Sequence, residues 1–111
     1  MPQLTVRGID PASMALVSTA LVAELAAICE CGTDNFTIDC LHMSSVFGGG
    51  AVPTYPFIEV AWFERGQAVR DRFAEAVSRR VRDAGAAEVE VAFKVYREED
   101  YYVNGECCGG K

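Results

Sequence analysis

The sequence is short of positive charge: 10 lysines and arginines stand against 16 aspartates and glutamates, a formal net charge of −6. No basic stripe is available to neutralise successive phosphates, so neither nucleic acid nor an anionic membrane is an expected partner. Long apolar runs are missing as well. The most apolar stretch, residues 14–28, contains Glu24 and is too short for a bilayer, which predicts a buried helix. No basic cluster precedes it, because Arg7 is offset by Asp10 and residues 3–9 alternate like a strand, so a secretory signal is not expected. A disulfide framework is lacking too. The cysteines at 29, 31, 40, 107 and 108 are odd in number and include a Cys-x-Cys and a Cys-Cys, which suits a reducing cytoplasm. With 111 residues, half of them apolar, the chain can bury one core and is too short for two, so a single domain spanning 1–111 is expected.

Against this background a repeat stands out. Pro2, Leu4 and Val6 recur as Pro56, Ile58 and Val60, 54 positions on. Each proline opens an alternating apolar segment, "QLTVRGI" and "FIEVAWFE", read as a strand. After the first, Asp10 is placed to cap a helix whose first residue is Pro11. That helix should run to about Cys29, with Gly32 ending it. After the second, Val69, Phe73, Ala76, Val77, Val81 and Ala84 recur at helical spacing with arginines facing outward, and Gly85 stops the run.

A further strand follows each helix. Phe36, Ile38, Cys40 and His42 share one face of the first, and Val89, Val91, Phe93 and Val95 repeat that pattern 53 positions later. Residues 44–56 read as a connection, and Asn104-Gly105 signals a two-residue turn in a short C-terminal hairpin. The expected fold is therefore α+β, a two-layer arrangement of duplicated β-α-β units. Pseudo-repeats 2–43 and 56–96 build a four-stranded mixed sheet with two helices on one face. The other face would carry Thr5, Arg7 and Ile9 from the first strand and Phe57, Glu59, Ala61 and Phe63 from the third. Burial of that mixed face against other subunits is expected. A ferredoxin-like split βαβ has the same element order, but it predicts neither a proline at position 2 nor a repeated strand start.

Pro directly after Met1, two β-α-β repeats, "VFGGG" after the second strand and "KVYREEDYY" at the last together resemble the tautomerase superfamily. The likeness to macrophage migration inhibitory factor covers nearly the whole chain. A bacterial branch catalogued as a domain of unknown function looks nearest. The resemblance implies a homotrimer with Pro2 as catalytic base in a pocket between subunits. Once Met1 is removed, Pro2 becomes a secondary amine. An α-amino group titrates near 8, and an apolar pocket lowers that value toward neutrality.

The same resemblance implies that Arg65, at the start of the second helix, binds a substrate carboxylate together with free helix N–H groups. Tyr96 would donate its hydroxyl to a neighbour's pocket. Glu98 stands where the inhibitory factor has asparagine, and Thr33 where it has lysine, so the substrate is expected only as a small keto or enol acid. No cofactor is implied. His42 reads as a core or rim residue. Cys29, Cys31, Cys107 and Cys108 supply four thiolates, but their spacing is not that of a zinc ribbon and no metal site is expected. The competing readings are a non-catalytic trimeric binding module and a dehalogenase or hydratase in which Glu98 activates water.

Overall fold

The computed structural model describes residues 1–109, so residues 110–111 of the expected domain lie outside the described part. Strand β1 (Gln3–Arg7) leads into helix α1 (Pro11–Cys29), then β2 (Thr37–Leu41). Two short strands follow, β3 (Ser45–Phe47) and β4 (Gly50–Val52), before β5 (Phe57–Phe63), helix α2 (Gln67–Asp83) and β6 (Glu90–Tyr96). A terminal ribbon is formed by β7 (Tyr102–Val103) and β8 (Glu106–Cys107). The main sheet has the order β2-β1-β5-β6. Its outer pairs are parallel and its central pair antiparallel. This is the expected α+β fold.

The duplication survives in the hydrogen bonding. Leu4 pairs with Ile38 and Val6 with Cys40, while Ile58 pairs with Val91 and Val60 with Phe93. The Pro2 carbonyl accepts from Thr37 N–H at 3.4 Å, and the Pro56 carbonyl accepts from Glu90 N–H at 3.2 Å. Across the central pair Thr5 faces Glu59, its own counterpart in the repeat. The pseudo-twofold axis passes between them.

Asp10 caps α1 as expected, its carboxylate accepting from Ala12 N–H at 3.4 Å with Pro11 next. The other end differs from expectation. Gly32 has an ordinary extended backbone, and the residue that turns left-handed is Glu30, with φ of 55°. Cys31 N–H then reaches back to the Ala26 carbonyl at 3.0 Å, the long bond of a Schellman closure. Nor is α1 wholly buried. Met14, Leu21, Leu25 and Ala26 are buried, but Leu16 on the outer face is 88% exposed. At 19 residues with mean hydropathy 1.9, α1 is long and apolar enough to cross a membrane by length and composition. Here it packs on the sheet.

Helix α2 buries Phe73, Ala76, Val77 and Val81. Phe73 meets Trp62 edge-on, with ring centroids 5.3 Å apart, and Phe93 lies 4.7 Å from Trp62 and 5.7 Å from Phe73. Burying an aromatic ring of this size contributes about 2–3 kcal/mol, and its edge-to-face contacts about 1 kcal/mol more. The two helices are tied by Glu24, which accepts from Arg80 Nε at 3.1 Å and from Arg79. The Arg79 guanidinium, with Arg80 beside it, holds the Glu24 carboxyl below its ordinary value against the opposing effect of burial.

Three readings of the strands need correcting. Residues 44–56 are more than a connection, because β3 and β4 form an antiparallel hairpin. Gly48 and Gly49 take positive φ at its tip, and Val46 and Phe47 stand 76% and 82% exposed. Ile9 does not join the open sheet face: β1 ends at Arg7, Gly8 turns the chain at φ 79°, and Ile9 packs on the core. His42 and Val95 leave the buried face: β2 stops at Leu41, and Val95, near the end of β6, is 47% exposed. The C-terminal turn is as expected, with Asn104 and Gly105 both at positive φ.

Glu30→Gly should relieve left-handed strain worth about 1–2 kcal/mol, partly offset by glycine's entropy. The expected gain is about 0.5–1 kcal/mol, a rise in Tm of about 2–4 °C by calorimetry. No rise would remove the strain argument. Glu24→Gln should cost about 1 kcal/mol or less at pH 7. Because the folded pKa of Glu24 is depressed, its stabilisation is present above the unfolded value near 4.3 and is lost as pH falls through the folded value. Urea midpoints of the two proteins should therefore converge toward pH 3, and a gap that persists there would contradict the ion-pair account.

Candidate active site

The antiparallel central pair places the start of β1 beside the end of β5, since Gln3 pairs with Ala61 and Leu4 with Val60. The parallel β5–β6 pair brings the end of β6 to the same place, with Phe63 opposite Tyr96. Pro2, Arg65, Tyr96 and Glu98 therefore gather at one end of the sheet, although they are scattered along the chain.

They do not share one surface. Pro2 is fully buried in the row of Leu4 and Val6, facing the helices. Arg65 is on that side too. Its guanidinium lies 5.3 Å from the Trp62 ring centroid, and Nη1 donates to the Phe63 carbonyl at 2.9 Å. Cys29, at the end of α1, feels the Arg65 charge, although burial dominates and pushes the thiol up. Tyr96 belongs to the opposite face, with Lys94 placing its ammonium 5.6 Å from the ring. Glu98 sits in a short 3-10 turn, exposed to solvent, and its backbone carbonyl accepts from Tyr101 N–H at 3.2 Å. Among the described residues no hydrogen bond joins the four side chains to one another.

Three further residues belong to this end. Tyr101 packs edge-on against Phe63 at 5.2 Å and lies 5.9 Å from the Tyr96 ring, and its hydroxyl is 3.5 Å from Gln3 Nε2. Lys94 supplies a cation on the same face. The alternation of "FKVY" placed Lys94 and Tyr96 together in the sequence. Nothing local signalled Tyr101 or Gln3, which meet only because the chain folds back after β6.

At the amino end of α2 the chain places a carboxylate of its own. Glu64 Oε2 accepts from Gly66 N–H at 2.7 Å, and its other oxygen pairs with Arg70. The Gly66 N–H and the Arg70 guanidinium hold the Glu64 carboxyl below its ordinary value. The chain's own carboxylate thus caps the turn that leads into α2.

Among the described residues no three histidine, cysteine or acidic side chains converge as metal ligands. Cys29 and Cys31 lie at the end of α1, Cys107 and Cys108 on the terminal ribbon. The Cys107 thiol donates to the Glu99 carbonyl at 3.4 Å.

Related structures share this fold. A domain of unknown function (DUF1904) from Sebaldella termitidis ATCC 33386 superposes with TM-score 0.89 at 31% identity, covering 96% of this chain and 99% of that one. A protein of unknown function from Vibrio cholerae O1 biovar eltor str. N16961 superposes at 0.83 with 24% identity, covering 96% and 86%. A fused 4-OT described as a wild-type asymmetric trimer reaches 0.82 at 17% identity, covering 97% of each chain. That likeness is one of fold, and the fold is that of the tautomerase superfamily. No curated protein matches by sequence. With the family model matching residues 1–107, the chain belongs to DUF1904, a branch of unknown function within the tautomerase fold.

Proposed function

We propose that the protein is a cytoplasmic homotrimer that moves a proton on a small keto or enol acid, using the Pro2 nitrogen once Met1 is removed. The observation that carries this reading is the position of Pro2, at the start of a central strand where Arg65, Tyr96, Lys94 and Tyr101 also gather. As an amide Pro2 has no basic nitrogen. As a free amine beside the apolar core it would be held uncharged near neutral pH. It would take the proton from the carbon next to the carbonyl, leaving an enolate on oxygen, and return it to a different carbon. Tyr96 or Tyr101 donates to that oxygen, and Arg65 or Lys94 holds the carboxylate.

Within one subunit Pro2 and Tyr96 lie on opposite faces of the sheet. Tyr96 can therefore act only on a substrate held by another copy, which supports a pocket shared between subunits. The open face, with Phe57, Ala61 and Phe63 among charged neighbours, supplies the surface for association. Trimeric relatives of the same fold support this assembly.

The alternative is a non-catalytic trimeric binding module of the same fold. It is favoured by Glu64, whose carboxylate already engages the Gly66 N–H and Arg70 at the start of α2. A hydratase reading through Glu98 is weaker, because that side chain stands in solvent and, among the described residues, has no hydrogen-bond or ion-pair partner.

Protein lacking Met1, verified by intact mass, should turn over a keto–enol acid. Pro2→Ala should lower kcat by about 10²-fold or more, and Arg65→Ala should raise KM about tenfold with a smaller effect on kcat. Equal rates for the Pro2 variant would sink the proline mechanism. Glu64→Ala should free Gly66 N–H and Arg70, tightening malonate binding about tenfold in calorimetric titration. Unchanged affinity would mean that Glu64 does not compete with a ligand.

A further inference from the structure

Helix α1 ends on Cys29, and a second cysteine follows after a single residue. That residue, Glu30, is left-handed, with φ 55° and ψ 48°. Its N–H reaches the Ala27 carbonyl at 3.3 Å, and the Cys31 N–H reaches the Ala26 carbonyl at 3.0 Å, so the backbone folds back on the last turn. Helical dihedrals of either hand set the Cα atoms on the two sides of a residue about 5.4 Å apart. A disulfide spans about 4.4–6.8 Å between Cα atoms. The turn therefore holds Cys29 and Cys31 at bonding separation. Their thiols already act on one another, since Cys31 is a hydrogen-bond partner of the Cys29 thiol.

The other cysteines are placed differently. Cys40 lies within β2, and the Cys107 thiol is engaged by the Glu98 and Glu99 carbonyls at 3.8 and 3.4 Å. Cys29 and Cys31 are both partly exposed. Cys29 packs against the core, whereas Cys31 is flanked by exposed Glu30 and Gly32. The outer thiol is Cys31.

The surroundings disfavour a thiolate at Cys29. Burial pushes its thiol up and the Cys31 thiol adds to that, while the charges of Arg65 and Arg72 oppose it only in part. No basic side chain stands in the last turn of α1, where the negative end of the helix lies. A pair whose thiolate is stabilised is held in its reduced form. Here that stabilisation is missing, and a disulfide brings no charge to the helix end.

We propose that Cys29 and Cys31 form a redox site that exchanges with small disulfides of the glutathione class. The Cys31 sulfur, its proton lost to solvent, attacks one sulfur of oxidised glutathione. The other half leaves as a thiolate and is protonated. Cys29 then gives up its proton and attacks the Cys31 sulfur, which forms the Cys29–Cys31 bond and releases the second glutathione. The protein's two thiols lose two electrons and two protons, and one glutathione disulfide becomes two thiols. The site depends on neither proline catalysis nor a second subunit, because α1 lies on the helix side of the sheet, away from the face left for association.

Glu30 supplies the assay, because a glutamate-specific protease cuts between the two cysteines. The folded full chain is treated with about 1 mM oxidised glutathione, its remaining thiols are alkylated, and it is denatured, digested and weighed. The fragment ending at Glu30 and the fragment beginning at Cys31 should stay joined in most molecules until dithiothreitol is added, and excess reduced glutathione should restore both thiols before digestion. Cys29→Ser should stall with one glutathione on Cys31. Cys31→Ser should take up glutathione at Cys29 about tenfold more slowly, because that thiol is the buried one. Cys107→Ser should form the linkage as the unsubstituted chain does. Urea midpoints report that each variant is folded, and the linkage in the unsubstituted chain is decisive whether or not they are. The proposal is overturned if the two fragments separate without reductant, if Cys29 or Cys31 is joined to Cys40, Cys107 or Cys108 instead, or if Cys29→Ser gains no glutathione.

Discussion

The antiparallel pairing of β1 with β5 is the constraint on which the rest of the molecule depends. Each repeat makes a parallel strand pair with its helix on one side, and two such units can join edge to edge in either sense. Setting Thr5 opposite Glu59 makes the join antiparallel and twofold. It brings both helices to the same face, where α1 and α2 pack together over the sheet. It also sends the start of β1 to the ends of β5 and β6. Residues far apart in sequence become neighbours through that register, and the two ends of the sheet become counterparts with different residues.

Packing then makes the two halves unequal. The second half carries Trp62, Phe73 and Phe93 in a mutually touching aromatic knot, and its helix is amphipathic with an arginine-rich outer side. The first half has an apolar helix with Leu16 in solvent. Glu24 is the charge on α1 that reaches across, engaging both Arg79 and Arg80. Rigidity therefore concentrates around Trp62, which is also where Arg65 leans. A guanidinium held between a ring and a carbonyl loses little further freedom on binding, which would suit the anion-positioning role proposed for Arg65.

A division of labour between the sheet faces follows. The helix-side face is dry and supplies Pro2, while the open face carries Tyr96, Lys94 and Tyr101 at one end and Arg7 and Glu90 at the other. Charged groups remain on the open face because no helix covers it, and their desolvation is left to whatever docks there. In the proposed trimer that face would supply one subunit's tyrosine to another's proline, so catalysis and assembly would be inseparable.

The repeat spacing, the alternation of Leu4, Val6, Ile58 and Val60, and the cap at Asp10 were legible because each is a local preference of the chain that its neighbours reinforce. So were the order of elements and the positions of Pro2, Arg65 and Tyr96 at element ends. The sequence did not show that Glu30 rather than Gly32 would turn left-handed, because that depends on where the last helical carbonyl finds a donor. Nor did it show the hairpin at 45–52, where short strands need only glycines at φ above zero and a partner, and three glycines in a row look the same in a loose connection. Which face each site residue takes, the occupation of the α2 amino end by Glu64, and the arrival of Tyr101 beside Gln3 were decided by tertiary structure. These depend on register and on chain reversal, where contacts between distant residues outweigh anything encoded within a few positions.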